Sequence, residues 1–175
     1  MDLKKHIRTV PNFPQKGVMF RDVTTLFQNA DVFHYIIEQF KNIWSKSDID
    51  AIAGIDARGF IIGAALAHHM HLPFIPLRKK GKLPFDTITR DYNLEYGTAT
   101  LEVHVDAINP GDRVLIVDDL IATGGTASAS IDLIRDLRGV VVGCGFIVDL
   151  PELGGSGKIN GMKVESKSLI QFAGH

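Results

Sequence analysis

The sequence is poor in cysteine and tryptophan, with one of each in 175 residues, and it has no excess of positive charge. A lone cysteine excludes an internal disulfide framework. Cys144 sits in an apolar run, where it reads as a small buried hydrophobe. Nineteen Lys and Arg against twenty Asp and Glu leave a formal net charge of -1, so the electrostatic footprint of a nucleic-acid binder is missing. No apolar run approaches the roughly 20 residues needed to cross a bilayer, which argues against a membrane partner. The start Met1-Asp2-Leu3-Lys4-Lys5 lacks the apolar stretch of a secretory signal, and with the unpaired thiol it leads us to expect a reducing, cytoplasmic setting. Internal repeats and low-complexity linkers are also missing. With 45% apolar and 22% charged residues, the expectation is one globular domain over residues 1–175.

What is present alternates between two hydrophobic periods. Phe33, Ile36, Ile37, Phe40, Ile43 and Trp44 fall at helical spacing over residues 32–44, with Asp31 as the expected N-cap. Residues 49–56 form a short apolar run ending in an acid, and 60–70, apolar nearly all round, predicts a buried helix. Pro73 to Leu77 reads as a strand closed by Arg78-Lys79-Lys80. Thr100, Glu102 and His104 alternate with Leu101, Val103 and Val105, the pattern of a half-buried strand. Val114 to Val117 is continuously apolar, as in a strand covered on both faces of a parallel sheet. A helix carrying Ala127, Ile131, Ile134 and Leu137 on one face follows, then a buried strand over 140–148. This order predicts an α/β fold with a mostly parallel central sheet flanked by helices. The first thirty residues and the 162–172 segment do not fit the alternation and are expected to decorate it.

The chemistry concentrates in Val114-Leu115-Ile116-Val117-Asp118-Asp119-Leu120-Ile121-Ala122-Thr123-Gly124-Gly125-Thr126. A buried strand delivers two adjacent carboxylates to the end where open α/β sheets bind ligands. The chain then enters a helix through Thr-Gly-Gly-Thr. Glycines let backbone N–H groups close round an anion, and a helix N-terminus favours negative charge. Anion-binding amides a few residues from two acids suit a phosphate with a neighbouring diol or metal. Other phosphate loops fail: Gly157-Lys158 has Glu152 and Ile159 where a Walker A loop needs Gly and a hydroxyl, and Gly143-x-Gly145 has Val148 in place of its third Gly.

The strand, acid pair and Thr-Gly-Gly-Thr turn resemble the phosphoribosyl-diphosphate (PRPP) signature of the type I phosphoribosyltransferases. Longer matches narrow the resemblance to the branch of that family that uses adenine. Pro11 to Asp22 is similar to a segment of its base pocket, which implies adenine contacts from Met19, Phe20 and Arg21, facing Leu150. These segments imply a small N-terminal hood, formed by residues 1–30 with the C-terminal segment. Gly54 to Phe60 and Arg78 to Pro84 resemble the diphosphate-binding pair, implying roles for Asp56, Ala57, Arg58, Arg78, Lys79 and Lys82, and a cis peptide near Asp56-Ala57. Departures are small: Ala57 where some members have Ser, and Lys16 where many have Pro. The resemblance places the 5'-phosphate on Ala122, Thr123, Gly124, Gly125 and Thr126, and the ribose hydroxyls on Asp118 and Asp119. Mg²⁺ is implied as cofactor, held mainly by substrate and water rather than by direct protein ligands. A homodimer is implied as well.

The polar stretch 84–97 reads as either an irregular hairpin or a lid over the site. In the lid, Glu95 is placed to accept the proton that adenine N9 loses. His68 and His71 share a helical face but lack the further ligands usual for zinc, so they read as helix C-terminal cations. Two rivals remain: an enzyme for a 6-oxopurine, which would want a Lys soon after the PRPP loop, where Phe146 to Leu150 has none and Lys158 would have to fold back, and a non-enzymatic PRPP sensor, which would want a basic face.

Overall fold

In this computed structural model residues 1–94 and 97–174 are described. The chain opens with β1 (Arg8–Pro11), β2 (Met19–Asp22), α1 (Thr24–Phe27), α2 (Ala30–Ile43), β3 (Ala51–Ile55), α3 (Arg58–Met70) and β4 (Phe74–Lys79). It continues with β5 (Thr87–Asn93), β6 (Thr98–His104), β7 (Arg113–Ile121), α4 (Gly125–Asp136), β8 (Val140–Asp149), α5 (Gly155–Gly161) and β9 (Ser166–Gln171). Among the described residues, β1 and β2 form a separate antiparallel hairpin, and seven strands form the main sheet in the order β5-β6-β4-β3-β7-β8-β9.

The central strands alternate strictly between two cores. Ala51, Ala53 and Ile55 of β3, with Val114 and Ile116 of β7, face the core that holds Ile131 and Ile134 of α4. Ile52, Leu115 and Val117 face the other, with Ile36 and Phe40 of α2 and Ile62 and Leu66 of α3. A strand apolar at every position is the only kind that serves both faces, which is why Val114 to Val117 is legible as parallel and interior. The strand order reverses at the β3–β7 pair: β4 lies to one side of β3, β7 to the other, and all three run parallel. A crevice at the carboxyl ends of strands opens at such a switch point.

Several sequence expectations need correction. Asn29 caps α2, its Oδ1 accepting the N–H groups of Asp31 (3.1 Å) and Val32 (3.2 Å); Asp31 lies inside the first turn, where its charge still suits the helix dipole. Helix α3 is buried on one face only, with Ile61 42% exposed on the other. The 162–172 segment is no decoration: β9 pairs in parallel with β8 and extends the sheet. Its mixed polar sequence reflects an edge position with one strand neighbour. The 84–97 stretch supplies β5, the first strand of a regular antiparallel hairpin with β6, paired from Thr87↔His104 to Asn93↔Thr98. Glu102, expected on an open strand face, is 3% exposed because the turn after β4 folds over it.

Helix α2 seats on the sheet through Trp44, 1% exposed, whose indole occupies the space a side chain at Gly143 would fill. β8 slips register against β7 at this point, between Val114 and Leu115. Gly143→Ala would drive a methyl into the ring, an overpacking that costs about 1–3 kcal/mol. We expect its urea midpoint to fall with an unchanged m-value, a result that distinguishes a packing defect from a change in the unfolded state. A midpoint equal to the parent's would show that the indole is not held there.

Candidate active site

Both acids lie within β7 itself, three and two residues before its end, rather than beyond the strand. Asp119 is 4% exposed and its Oδ2 accepts the Nε–H of Arg58, which stands at the start of α3 just after β3. The strand pairing carries this contact: Gly54 of β3 lies opposite Val117 of β7, so the two strand ends open side by side. Asp118 Oδ1 accepts the backbone N–H of Asp119 (2.9 Å). Burial, and then the neighbouring charge of Asp119, push the Asp118 carboxyl well above the usual carboxylate range. Burial works against the Arg58 charge, but the two acids outweigh it and leave the guanidinium a stronger base than usual. The Asp56–Ala57 peptide is cis, as the sequence resemblance implies.

Beyond β7 the chain turns through Gly124, whose φ of 81° is left-handed and suits a residue without a side chain. Gly124 is the N-cap of α4 and no side chain caps it among the described residues, so the first-turn N–H groups face outward. They line a hollow of about 130 Å³ with Thr123, Thr126, Ala122 and Asp118. The N–H of Gly155 pins the loop by donating to the Ala122 carbonyl (3.0 Å). Next to it, a cavity of about 370 Å³ is lined by Asp56, Ala57, Arg58, Lys79, Asp118 and Asp119. A third cavity, about 660 Å³ and mostly apolar, lies between the β1–β2 hairpin and the sheet, with Met19, Phe20, Arg21 and Leu150 in its walls. Asp118 borders the first two, and Arg58 the second and third. The three therefore adjoin through shared walls and together make up the cleft.

Most residues singled out in the sequence meet here, with exceptions. Arg78 and Lys82 do not line these cavities; Arg78 Nε is 3.4 Å and Lys82 Nζ 3.6 Å from the buried Asp56 carboxylate. Glu95 lies outside the described residues. Its flanks, Leu94 and Gly97, are joined by a 2.9 Å backbone hydrogen bond, and Asn93 and Leu94 border the apolar cavity. Lys158, the lysine the 6-oxopurine reading turns on, does border that cavity; sequence reasoning missed Leu120 there, and Phe172, whose ring lies 4.3 Å from the Arg21 guanidinium. Leu120 was readable, as the residue after the acid pair on the same strand; nothing in the sequence brings Phe172 to Arg21. Among the described residues, no three His, Cys, Asp or Glu side chains cluster as a metal cage.

A mostly parallel sheet covered on both faces, whose switch point joins an acid pair to an uncapped helix start, suits a phosphorylated ligand that also bears hydroxyls, and comparison with known proteins names the class. The family model for the phosphoribosyl transferase domain matches residues 22–166. An adenine phosphoribosyltransferase of Maricaulis maris is 54% identical over 174 residues, covering 99% of each chain. That of Bradyrhizobium sp. strain ORS 278 is 50% identical over 175 residues, covering 100% of this chain and 98% of its own. The crystal structure of adenine phosphoribosyltransferase from Thermoanaerobacter pseudethanolicus superposes with a TM-score of 0.94 at 44% identity, covering 98% of both chains. The Saccharomyces cerevisiae structure, solved with an imino-altritol bisphosphate and adenine, gives 0.91 at 35% identity, covering 97% of both. The chain belongs to the adenine phosphoribosyltransferase family.

The raised Asp118 carboxyl has a consequence for stability. Folding holds its proton more tightly than the unfolded chain does, so this group's contribution falls as pH climbs from about 4 through the raised value. Asp118→Asn keeps an oxygen for the Asp119 N–H and removes that cost. The variant should melt above the parent at about pH 8, with the gap closing toward about pH 4; a gap independent of pH would contradict the assignment.

Proposed function

We propose that this chain transfers the 5-phosphoribosyl group of PRPP to N9 of adenine, giving AMP and diphosphate in purine salvage. The observation that carries it is the meeting of an acid pair, an uncapped helix N-terminus and an apolar slot along one cleft. The 5'-phosphate sits on the amides of Ala122 to Thr126, where the orphan N–H groups of α4 and the helix dipole favour an anion. Asp118 and Asp119 take the ribose hydroxyls and offset the positive charge that develops at the anomeric carbon. Diphosphate leaves toward Arg58 and Lys79, with Arg78 and Lys82 turning from Asp56 to join them. Adenine lies between Phe20 and Leu150, its amino edge read by backbone groups around Met19 and Arg21.

As the C1–O bond to diphosphate breaks and the C1–N9 bond forms, N9 gives up a proton, and Glu95, between β5 and β6 in the sequence, is the base we assign to it. Closure of the β5–β6 hairpin keeps water from the cationic ribosyl carbon. The hard oxygens of Asp118 and Asp119 fit Mg²⁺ held chiefly by substrate and water, which when bound offsets charge on the departing diphosphate. We read the functional form as a cytoplasmic homodimer. The free thiol of Cys144 supports the setting, and the homodimer rests on the family resemblance.

Lys158 borders the base cavity, and lysine is the residue type that reads a 6-oxo group, so the base must be tested directly. Incubation with PRPP and Mg²⁺ should consume adenine in preference to hypoxanthine, guanine and xanthine, with one diphosphate formed per AMP. Preference for hypoxanthine or guanine would overturn the assignment. Asp118→Asn should lower kcat by about 10²-fold with the adenine KM within a few-fold, since its charge acts on the transition state. Glu95→Gln should lower kcat about 10²–10⁴-fold if the carboxylate takes the N9 proton.

A further inference from the structure

Glu102 belongs to no part of the cleft, yet it is one of the few buried charged residues. Its neighbours Leu101 and Val103 point into the hydrophobic core, so strand alternation sends Glu102 to the opposite sheet face. There the turn after β4 covers it. One carboxylate oxygen, Oε1, accepts both the Lys82 N–H at 3.0 Å and the Leu83 N–H at 2.8 Å. Glu102 also lies directly across the β4–β6 pair from Arg78. Burial opposes its charge, but the N–H groups of Leu83, Gly81 and Lys82 outweigh that and hold the carboxyl below its usual range. A buried carboxylate is tolerated only where such donors surround it.

The segment it holds carries Lys79, which lines the cavity beside the acid pair, and Lys82, whose ammonium approaches Asp56. Its stem is fixed by the Lys80 N–H donating to the Thr100 carbonyl at 3.0 Å. The turn itself passes through Gly81 at a φ of 88°, so its course beyond the stem depends on what grips the next two amides. Glu102 is that grip. It stands on the strand that continues from the tip of the β5–β6 hairpin, so a single side chain joins the basic turn to the hairpin.

We propose that Glu102 is a positioning residue that sets the basic turn at residues 79–83 against the diphosphate of PRPP. The proposal rests on the reading that these cations receive the leaving group. It depends on where Oε1 stands, which separates it from a simple need for charge. Glu102→Asp keeps the charge but withdraws the oxygen by one methylene; Glu102→Gln loses the charge but keeps an acceptor in place. We expect Glu102→Asp to raise the KM for PRPP about five- to tenfold with the adenine KM within about twofold, and Glu102→Gln to stay within about twofold of the parent for both.

Melting temperatures of both variants and a Lys79→Ala control complete the test. Glu102→Gln more damaging than Glu102→Asp, no change in either, or parallel shifts in both KM values and melting temperature would each overturn the proposal. If Lys79→Ala raises the PRPP KM and Glu102→Asp does not, the positioning role alone fails. If Lys79→Ala leaves it unchanged, the reading of the turn falls and the proposal with it.

Discussion

Two carboxylates side by side on a buried strand repel each other, and the guanidinium of Arg58 against Asp119 is what allows β7 to carry both. The pair crosses the line where the sheet reverses direction. Its two halves come from strands whose register is fixed by Gly54 facing Val117. The relief is unequal: Asp119 has a cation in contact, whereas Asp118 is left with burial and its neighbour's charge. The result is an anionic floor that is unstable by itself and suited to a ligand that brings hydroxyls and positive character.

The walls of the cleft differ in how firmly they are built. The floor belongs to a sheet packed on both faces, with α2 locked in place by a tryptophan that fills the gap over Gly143. Such interiors are close-packed and deform little. The β1–β2 hairpin over the apolar cavity is a two-stranded element outside the main sheet. It is tied on by Arg21, which lies over the Phe172 ring and is itself held by donating to the Thr9 hydroxyl across the hairpin at 2.7 Å. A cation–π contact of this kind contributes on the order of 0.5–2 kcal/mol. The sugar and phosphate are thus met by rigid structure and the base by a lighter flap.

The central strands, α4 and the acid-and-glycine turn were legible because each announces itself locally: an unbroken apolar run, a helical stripe, two acids before two glycines. Asn29 was passed over for Asp31 because both are good caps two residues apart and only the helix geometry chooses between them. β9 was hidden because an edge strand needs no apolar run, and Ser166-Lys167-Ser168 looks like surface. Glu102 was hidden for the opposite reason: alternation gives the face a side chain takes, but not whether a turn twenty residues earlier will return to cover it. The diphosphate role of Arg78 and Lys82 comes from the resemblance, and the sequence did not show that an acid, Asp56, stands 3.4 and 3.6 Å from them.

The reversal of strand order at β3 and β7 also governs when the cleft comes into being. Asp56 and Arg58 leave the ribosome some sixty residues ahead of Asp118, and the pairing that unites them is parallel and long-range. A nascent chain halted before Asp118 holds Arg58 without the acid pair it faces in the cleft. The acid pair of the cleft is therefore not made until the last third of the chain. The two halves of the cleft meet only when β7 pairs beside β3.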